Sequence, residues 1–255
     1  MAMTTMISHQ KSDTPGKAIL SKTETKPTIT SISPSVITNA ATAVTLTGTN
    51  YVSVPQVEAI NSTGAIDNAS SGNTLHIWAW TYTENVEVDE SMTIVGNATS
   101  NTTLNITSGK GFEIISDDVF ISKILVKGCG STSGHNAFQV TGDDVTVEDV
   151  VGKDCSKGIS IPGSGAWVGN SSFIDNDSNG VEIWVGTSST TSVTIYKNNI
   201  SSNGKYGILT SEDDAILRSN TIRDNSLDGI MIGGADVIVS GNTISGNSDG
   251  IELIN

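Results

Sequence analysis

Apolar side chains in the second half of the chain recur in a nine-residue frame whose first and sixth positions are hydrophobic. The frame runs from Ile121 to Cys129, Val147 to Cys155, Val168 to Asn176, Ile195 to Asn203, Leu217 to Asn225 and Val239 to Asn247; its sixth position is Val126, Phe173, Ile200, Ile222 or Ile244, and Gly152 in one copy. Nine residues before each frame stands another apolar residue, Phe112, Phe138, Ile159, Ile208 or Ile230, with Val181 set five further back by an insertion and Ile251 starting the element again. The steps between these residues are 26, 21, 22, 27, 22 and 21, and a period in this range marks a solenoid. Within a period, Ile230-Met231-Ile232 and Val237-Ile238-Val239 alternate every second residue, which is the pattern of strands and leaves no room for a helix. The prediction is three short strands and three bends per turn, each strand pairing with its counterpart one turn away at about 4.8 Å. Gly111, Gly158, Gly180, Gly207, Gly229 and Gly250 directly precede the first apolar residue, where a sharp bend is expected to need left-handed dihedrals.

The ninth frame position is Asn in four copies and Cys in two. Inward amides at a repeated bend hydrogen-bond one another, so Asn176, Asn203, Asn225 and Asn247 are expected to form a ladder. Cys129 and Cys155 occupy the same column one rung apart, a spacing that admits either a disulfide or two buried thiols.

These repeats resemble the right-handed parallel β-helix repeats of the pectin-lyase-like superfamily, in particular the short-rung NosD-type proteins, over residues 54–255. The resemblance implies an all-β, right-handed, single-stranded parallel β-helix of about eight rungs. Gly72 to Val86 followed by Met92 to Gly96 is similar to the first rung of that superfamily, and residues 56–70, with Val57, Ala59, Ile60, Ala65 and Ile66 at helix-like spacing, are expected to supply an N-terminal cap. Pro27 to Pro34 and Val44 to Tyr51 resemble the opening of an IPT/TIG immunoglobulin-like domain, so residues 27–53 read as two such strands or a linker. Residues 1–26 are polar and aperiodic and are expected to be disordered. The chain stops at Asn255 part way into a rung, which reads as a fragment of a longer protein.

Charge narrows the partners. With 27 acidic against 13 basic residues the net charge is −14, which argues against nucleic acid or an anionic membrane surface. No apolar run is long enough to span a bilayer. Asn-x-Ser/Thr sequons begin at Asn61, Asn68, Asn97, Asn101, Asn105, Asn170, Asn176 and Asn199, which fits an extracellular or cell-surface setting.

Because inward columns are committed to packing, function is sought outside. His76, Trp78, Trp80 and Tyr82 share one parity and Leu75, Ile77 and Ala79 the other, so the aromatic set is expected to face outward, as a surface on which sugar rings stack. The competing reading packs the strands of residues 28–51 over this stripe. Acidic residues also fall in a column: Asp118, Asp144, Asp214 and Asp236, preceded by Asp117, Asp143 and Asp213. A Ca²⁺ ion would relieve their repulsion, with Asp213, Asp214 and Asp236 as the ligand set, although Asp at a bend more often accepts its own turn's backbone N–H. No other cofactor is expected. Elimination at a uronate needs a cation to neutralise the carboxylate and a base near C5, and Tyr196, Lys197 and Arg218 form the outward neighbours of that type. Rungs this short leave little loop for a substrate groove, so the preferred reading is a non-catalytic secreted or surface module, structural or adhesin-like, holding a polysaccharide or other glycan; the alternative is a polysaccharide lyase or epimerase.

Overall fold

The computed structural model describes residues 69–184 and 192–254, together with the backbone of strands Met3–Ile7, Thr28–Ser33, Thr42–Thr49 and Gln56–Ala59. From Gln56 onward the strands form a right-handed parallel β-helix of about eight turns. The chain passes in every turn through three sheets. The first runs from Gln56–Ala59 and Thr74–Ile77 to Ile238–Ser240, the second from Thr81–Tyr82 to Thr243–Ser245, and the third from Val86–Val88 to Ile251–Leu253.

Register follows the apolar pattern. In the third sheet Phe112 pairs with Phe138, Phe138 with Ile159, Ile159 with Val181, Val181 with Ile208, Ile208 with Ile230 and Ile230 with Ile251. In the first sheet Ile121, Val147, Val168, Ile195, Leu217 and Val239 form one column, and in the second Val126, Gly152, Phe173, Ile200, Ile222 and Ile244 form another. The insertions at 130–136 and 185–191 therefore leave the stacking intact. Like side chains lie on like: the Phe112 and Phe138 rings stack in parallel with centroids 5.7 Å apart. Gly152 breaks its column because Phe173 lies over it and Ala137 stands opposite; a Cβ there would sit 3.2 Å from Phe173 Cδ1 and 3.1 Å from Ala137 Cβ.

The glycines before the third sheet are not left-handed, contrary to the sequence reading. Five of the six are required for space, while a Cβ on Gly250 would meet nothing within 4 Å. A Cβ on Gly229 would lie 2.6 Å from Ile244 Cγ2 and 2.7 Å from the Gly250 carbonyl oxygen, and one on Gly207 would lie 2.5 Å from both Ile222 Cγ2 and the Gly229 carbonyl oxygen. The left-handed bends fall elsewhere: Asp118, Asp144, Asp214 and Asp236 (φ 54–58°) before the first sheet, Lys123, Asp149, Asn170, Lys197 and Ser219 (φ 50–61°) between the first and second, and Asp154, Asp175, Ser202 and Asp224 (φ 52–59°) after the second. Asp and Asn tolerate this region better than other non-glycine residues, because their short polar side chains hydrogen-bond locally, which explains the Asp-rich corners.

Two amide ladders run along the interior corners. Asn176 donates to Asn203 Oδ1 (3.0 Å), Asn203 to Asn225 Oδ1 (2.9 Å) and Asn225 to Asn247 Oδ1 (2.9 Å), each through Nδ2, while the second Nδ2 proton goes to a backbone carbonyl. A second ladder, Asn198 to Asn220 to Asn242, stands at the fourth frame position (3.2 and 3.0 Å) and is continued upward by Ser171, whose N–H donates to Asn198 Oδ1. Above Asn176 the column continues as a disulfide between Cys129 and Cys155 (Cα–Cα 4.6 Å), with the Cys155 N–H donating to Asn176 Oδ1.

At the N-terminal end the expected amphipathic helix does not form at its start: Gln56–Ala59 is a strand, with Val57 and Ala59 in register with Leu75 and Ile77. Their alternation has the period of a strand, and the open edge of the first sheet offers backbone partners that a helix would forgo. Residues 60–68 lie outside the described residues. Strands Met3–Ile7 and Thr28–Ser33 flank Thr42–Thr49 in a separate antiparallel sheet. The rest of residues 1–55 lies outside the described residues.

Two outcomes follow from this packing. Gly207→Ala lowers unfolding stability by about 1–3 kcal/mol through overpacking, measured by urea denaturation. The double change Cys129→Ser, Cys155→Ser removes a link of sequence separation 26 and costs about 3 kcal/mol.

Candidate functional site

Strands of the first sheet present two side chains outward, on either side of the inward central residue. One outward column reads His76, Val95, Ser122, Glu148, Gly169, Tyr196, Arg218 and Ser240. Gly169 leaves room for its strand neighbour Trp167, whose indole lies across the space a side chain there would fill. That ring meets Tyr196 on the next rung, with centroids 6.4 Å apart and planes inclined by 50°. Lys197, at the left-handed corner, places Nζ 4.9 Å from the Tyr196 centroid, and Arg218, the register partner of Tyr196, places its guanidinium carbon 5.2 Å from the same point. Both are ordinary cation–π distances. Among the described residues neither cation is paired with a carboxylate; the ion pairs run Lys110–Glu113, Lys153–Asp154, Lys157–Glu182 and Arg223–Asp224.

The structure thus gathers Tyr196, Lys197 and Arg218, and adds Trp167, which sequence reasoning missed. Its signal was the glycine two residues later, on the same face of the strand. His76 belongs to the same outward column, five rungs from Tyr196, which is roughly 24 Å along the axis. Trp80 and Trp78 are exposed (61 and 37 %) at the corner between the first and second sheets. Trp184, at the end of a third-sheet strand, is 70 % exposed.

Tyr82 is a correction. It is buried, 2 % exposed, and donates its hydroxyl proton to the Trp78 carbonyl oxygen at 3.2 Å. Shared parity fails here because the chain bends between Ile77 and Thr81, so the second-sheet strand starts a new alternation. Burial, reinforced by the charge of Glu84, pushes its pKa up to about 12.

Three side chains of the acidic columns hydrogen-bond to the neighbouring rung. Asp117 Oδ1 accepts the Asp143 N–H, Asp143 Oδ1 the Ser164 N–H and Asp213 Oδ1 the Ala235 N–H, all across one rung (2.8, 2.8 and 2.6 Å). Asp214 and Asp236 form left-handed corners, and among the described residues no three His, Cys, Asp or Glu side chains converge as a metal site. Of the expected ligand set, Asp213 thus accepts a backbone N–H of the neighbouring rung, and Asp214 and Asp236 turn left-handed corners. Among the described residues no helix is long and apolar enough to cross a membrane.

By fold the chain is a right-handed parallel β-helix solenoid, and its residues 185–255 match the family model for a right handed beta helix region. Among solved structures, it is similar to the A-module of Azotobacter vinelandii mannuronan C-5 epimerase AlgE4 (14 % identity, 71 % of this chain and 72 % of that one, TM-score 0.51). It is also similar to the Agl-KA catalytic domain (18 % identity, 83 % of this chain, TM-score 0.54), of which it spans 50 % of the length. At these identities the likeness is one of fold. No curated protein matches the chain by sequence.

The tyrosine pKa has a measurable consequence. Its folded value lies above the unfolded value of 10.0, so the unfolded chain releases the proton first and stability falls as pH rises through the interval from 10.0 to about 12. Tyr82→Phe loses that part of the alkaline decline and, at neutral pH, about 1 kcal/mol from its hydrogen bond, as read from denaturation at each pH.

Proposed function

We propose that this protein is a non-catalytic polysaccharide-binding module of the cell exterior, which holds a glycan along the outer face of the first sheet. One observation carries this reading: the Trp167–Tyr196 pair is flanked by Lys197 and Arg218, two cations without carboxylate partners among the described residues, on a chain of net charge −14. Aromatic faces receive the C–H surface of a sugar ring. A guanidinium and an ammonium beside them select a carboxylated sugar, which the rest of this acidic surface repels. Mannuronan, which appears in the name of one structural neighbour, is the first glycan to test. Exposed Trp78 and Trp80, with His76 in the outward column, offer further stacking surface toward the N-terminal end.

Among the described residues most corners are turned by a single left-handed residue and build no walls around a substrate, which supports a binding role over a catalytic one. A second reading rests on the same residues: Tyr196 as base with Arg218 and Lys197 neutralising a uronate would make the site a lyase or epimerase.

Affinity electrophoresis in gels containing mannuronan tests the binding. Retardation of the native chain is expected to weaken with added salt, and Trp167→Ala or Arg218→Ala each to reduce affinity by about tenfold. Unchanged retardation in both variants contradicts the proposed face. Absorbance near 235 nm during incubation with polyuronates, with and without Ca²⁺, stays flat if the module only binds; a rising signal establishes elimination and replaces the first reading with the lyase. For an epimerase, which leaves no unsaturated product, the uronate composition by NMR is expected to remain unchanged.

A further inference from the structure

We propose that a second site, on the third sheet and independent of the first-sheet face, binds a protonated primary amine such as that of an amino sugar. The longer rung between Phe112 and Phe138 carries the insertion at residues 130–136, and this segment is fixed at both ends. Cys129 before it is disulfide-bonded to Cys155, the carbonyl oxygen of His135 accepts the N–H of Ser156 (2.8 Å), and His135 closes a turn by donating its N–H to the Thr132 carbonyl oxygen (2.9 Å). The segment therefore forms a shelf tied to the next rung, beside the first rungs of the third sheet.

Between shelf and sheet lies a cavity of about 500 Å³, lined by Asn85, Glu87, Lys110, Glu113, Ser133 and His135 among others. Its chemistry is one-sided. Glu87 and Glu113 are register partners, so two carboxylates stand one rung apart. Lys110 pairs with Glu113, and among the described residues Glu87 has no cation. His135 Nδ1 lies 3.0 Å from the Cys129 carbonyl oxygen, which accepts only, so Nδ1 carries a proton and, in the neutral ring, Nε2 is left as an acceptor. The amide protons of Asn85 are spent on the carbonyl oxygens of Ser108 and Lys110.

A carboxylate without a cation and, in the neutral ring, an imidazole nitrogen with a lone pair both call for a donor. The complementary ligand carries several N–H donors and a positive charge. A protonated amine meets both demands, its charge balancing Glu87. A carboxylated or phosphorylated ligand would meet two glutamates against one lysine and is disfavoured.

Isothermal titration of the full chain with glucosamine, N-acetylglucosamine and 1,4-diaminobutane tests the site. Glucosamine is expected to bind at least about tenfold more tightly than its acetylated form, which has lost the charge, and Glu87→Gln to weaken it by about tenfold or more, as expected for one charge-assisted hydrogen bond. Asp177→Asn, which removes the same charge from an exposed corner, leaves the affinity unchanged. Glucosamine binding more tightly than the diamine identifies an amino sugar; equal binding supports recognition of the ammonium alone. Equal affinity for the acetylated sugar, no binding of either amine, or no effect of Glu87→Gln would overturn the proposal. Because Glu87 is exposed, its substitution does not burden folding, and an unchanged melting temperature confirms this for the titrated sample.

Discussion

The in-register stacking of one rung on the next, about 4.8 Å apart, is the constraint on which the molecule depends. A strand slipped by one residue would turn its inward side chains to solvent, so every column repeats chemistry that can bear repetition. Ile, Val and Phe stack on themselves, as Phe112 and Phe138 do. Asn repeats because an amide is both donor and acceptor: in the interior of a ladder each side chain accepts from one neighbour and donates to the next, and the remaining proton closes on a carbonyl oxygen. Where the amide column stops at Asn176, a covalent bond between Cys129 and Cys155 takes over the same register.

Such an interior has no freedom left for chemistry, which moves function to outward columns. There the constraint becomes useful, since residues 22 or 27 apart in sequence are held side by side on a flat face. Tyr196 and Arg218 meet in this way, and Trp167 reaches Tyr196 across Gly169. The excess of acidic residues has a structural share: many occupy left-handed corners or accept N–H groups from the next rung, as Asp117, Asp143 and Asp213 do. Against that background two cations gathered on one ring stand out as selective.

How far this was legible in the sequence depended on whether a feature repeats. The apolar columns from Phe112 to Ile251 could be read because periodic burial leaves periodic residues. Asn198, Asn220 and Asn242 repeat as strictly but lie between apolar positions of the frame, and were overlooked. The glycines before the third sheet were noticed and given the wrong cause: sequence reveals that a side chain is missing, and only packing shows whether dihedral or space forbids it. Tyr82 was misplaced because parity does not survive a bend; of the two readings open for the acid column, a cation or a backbone N–H, Asp213 follows the second, with its donor on the neighbouring rung and not in its own turn. The Trp167 contact left one signal, Gly169 two residues later, and the shelf at 130–136 left only the extra length of its rung, because both arise from single departures in the repeat.

A crystal structure of the chain soaked with a mannuronan oligosaccharide tests the central claim most directly, that an interior closed by stacking leaves recognition to the outer face of the first sheet. The account predicts sugar rings over Trp167 and Tyr196 with a carboxylate turned to Lys197 and Arg218. An oligosaccharide seated on another sheet, with these four side chains untouched, would contradict it.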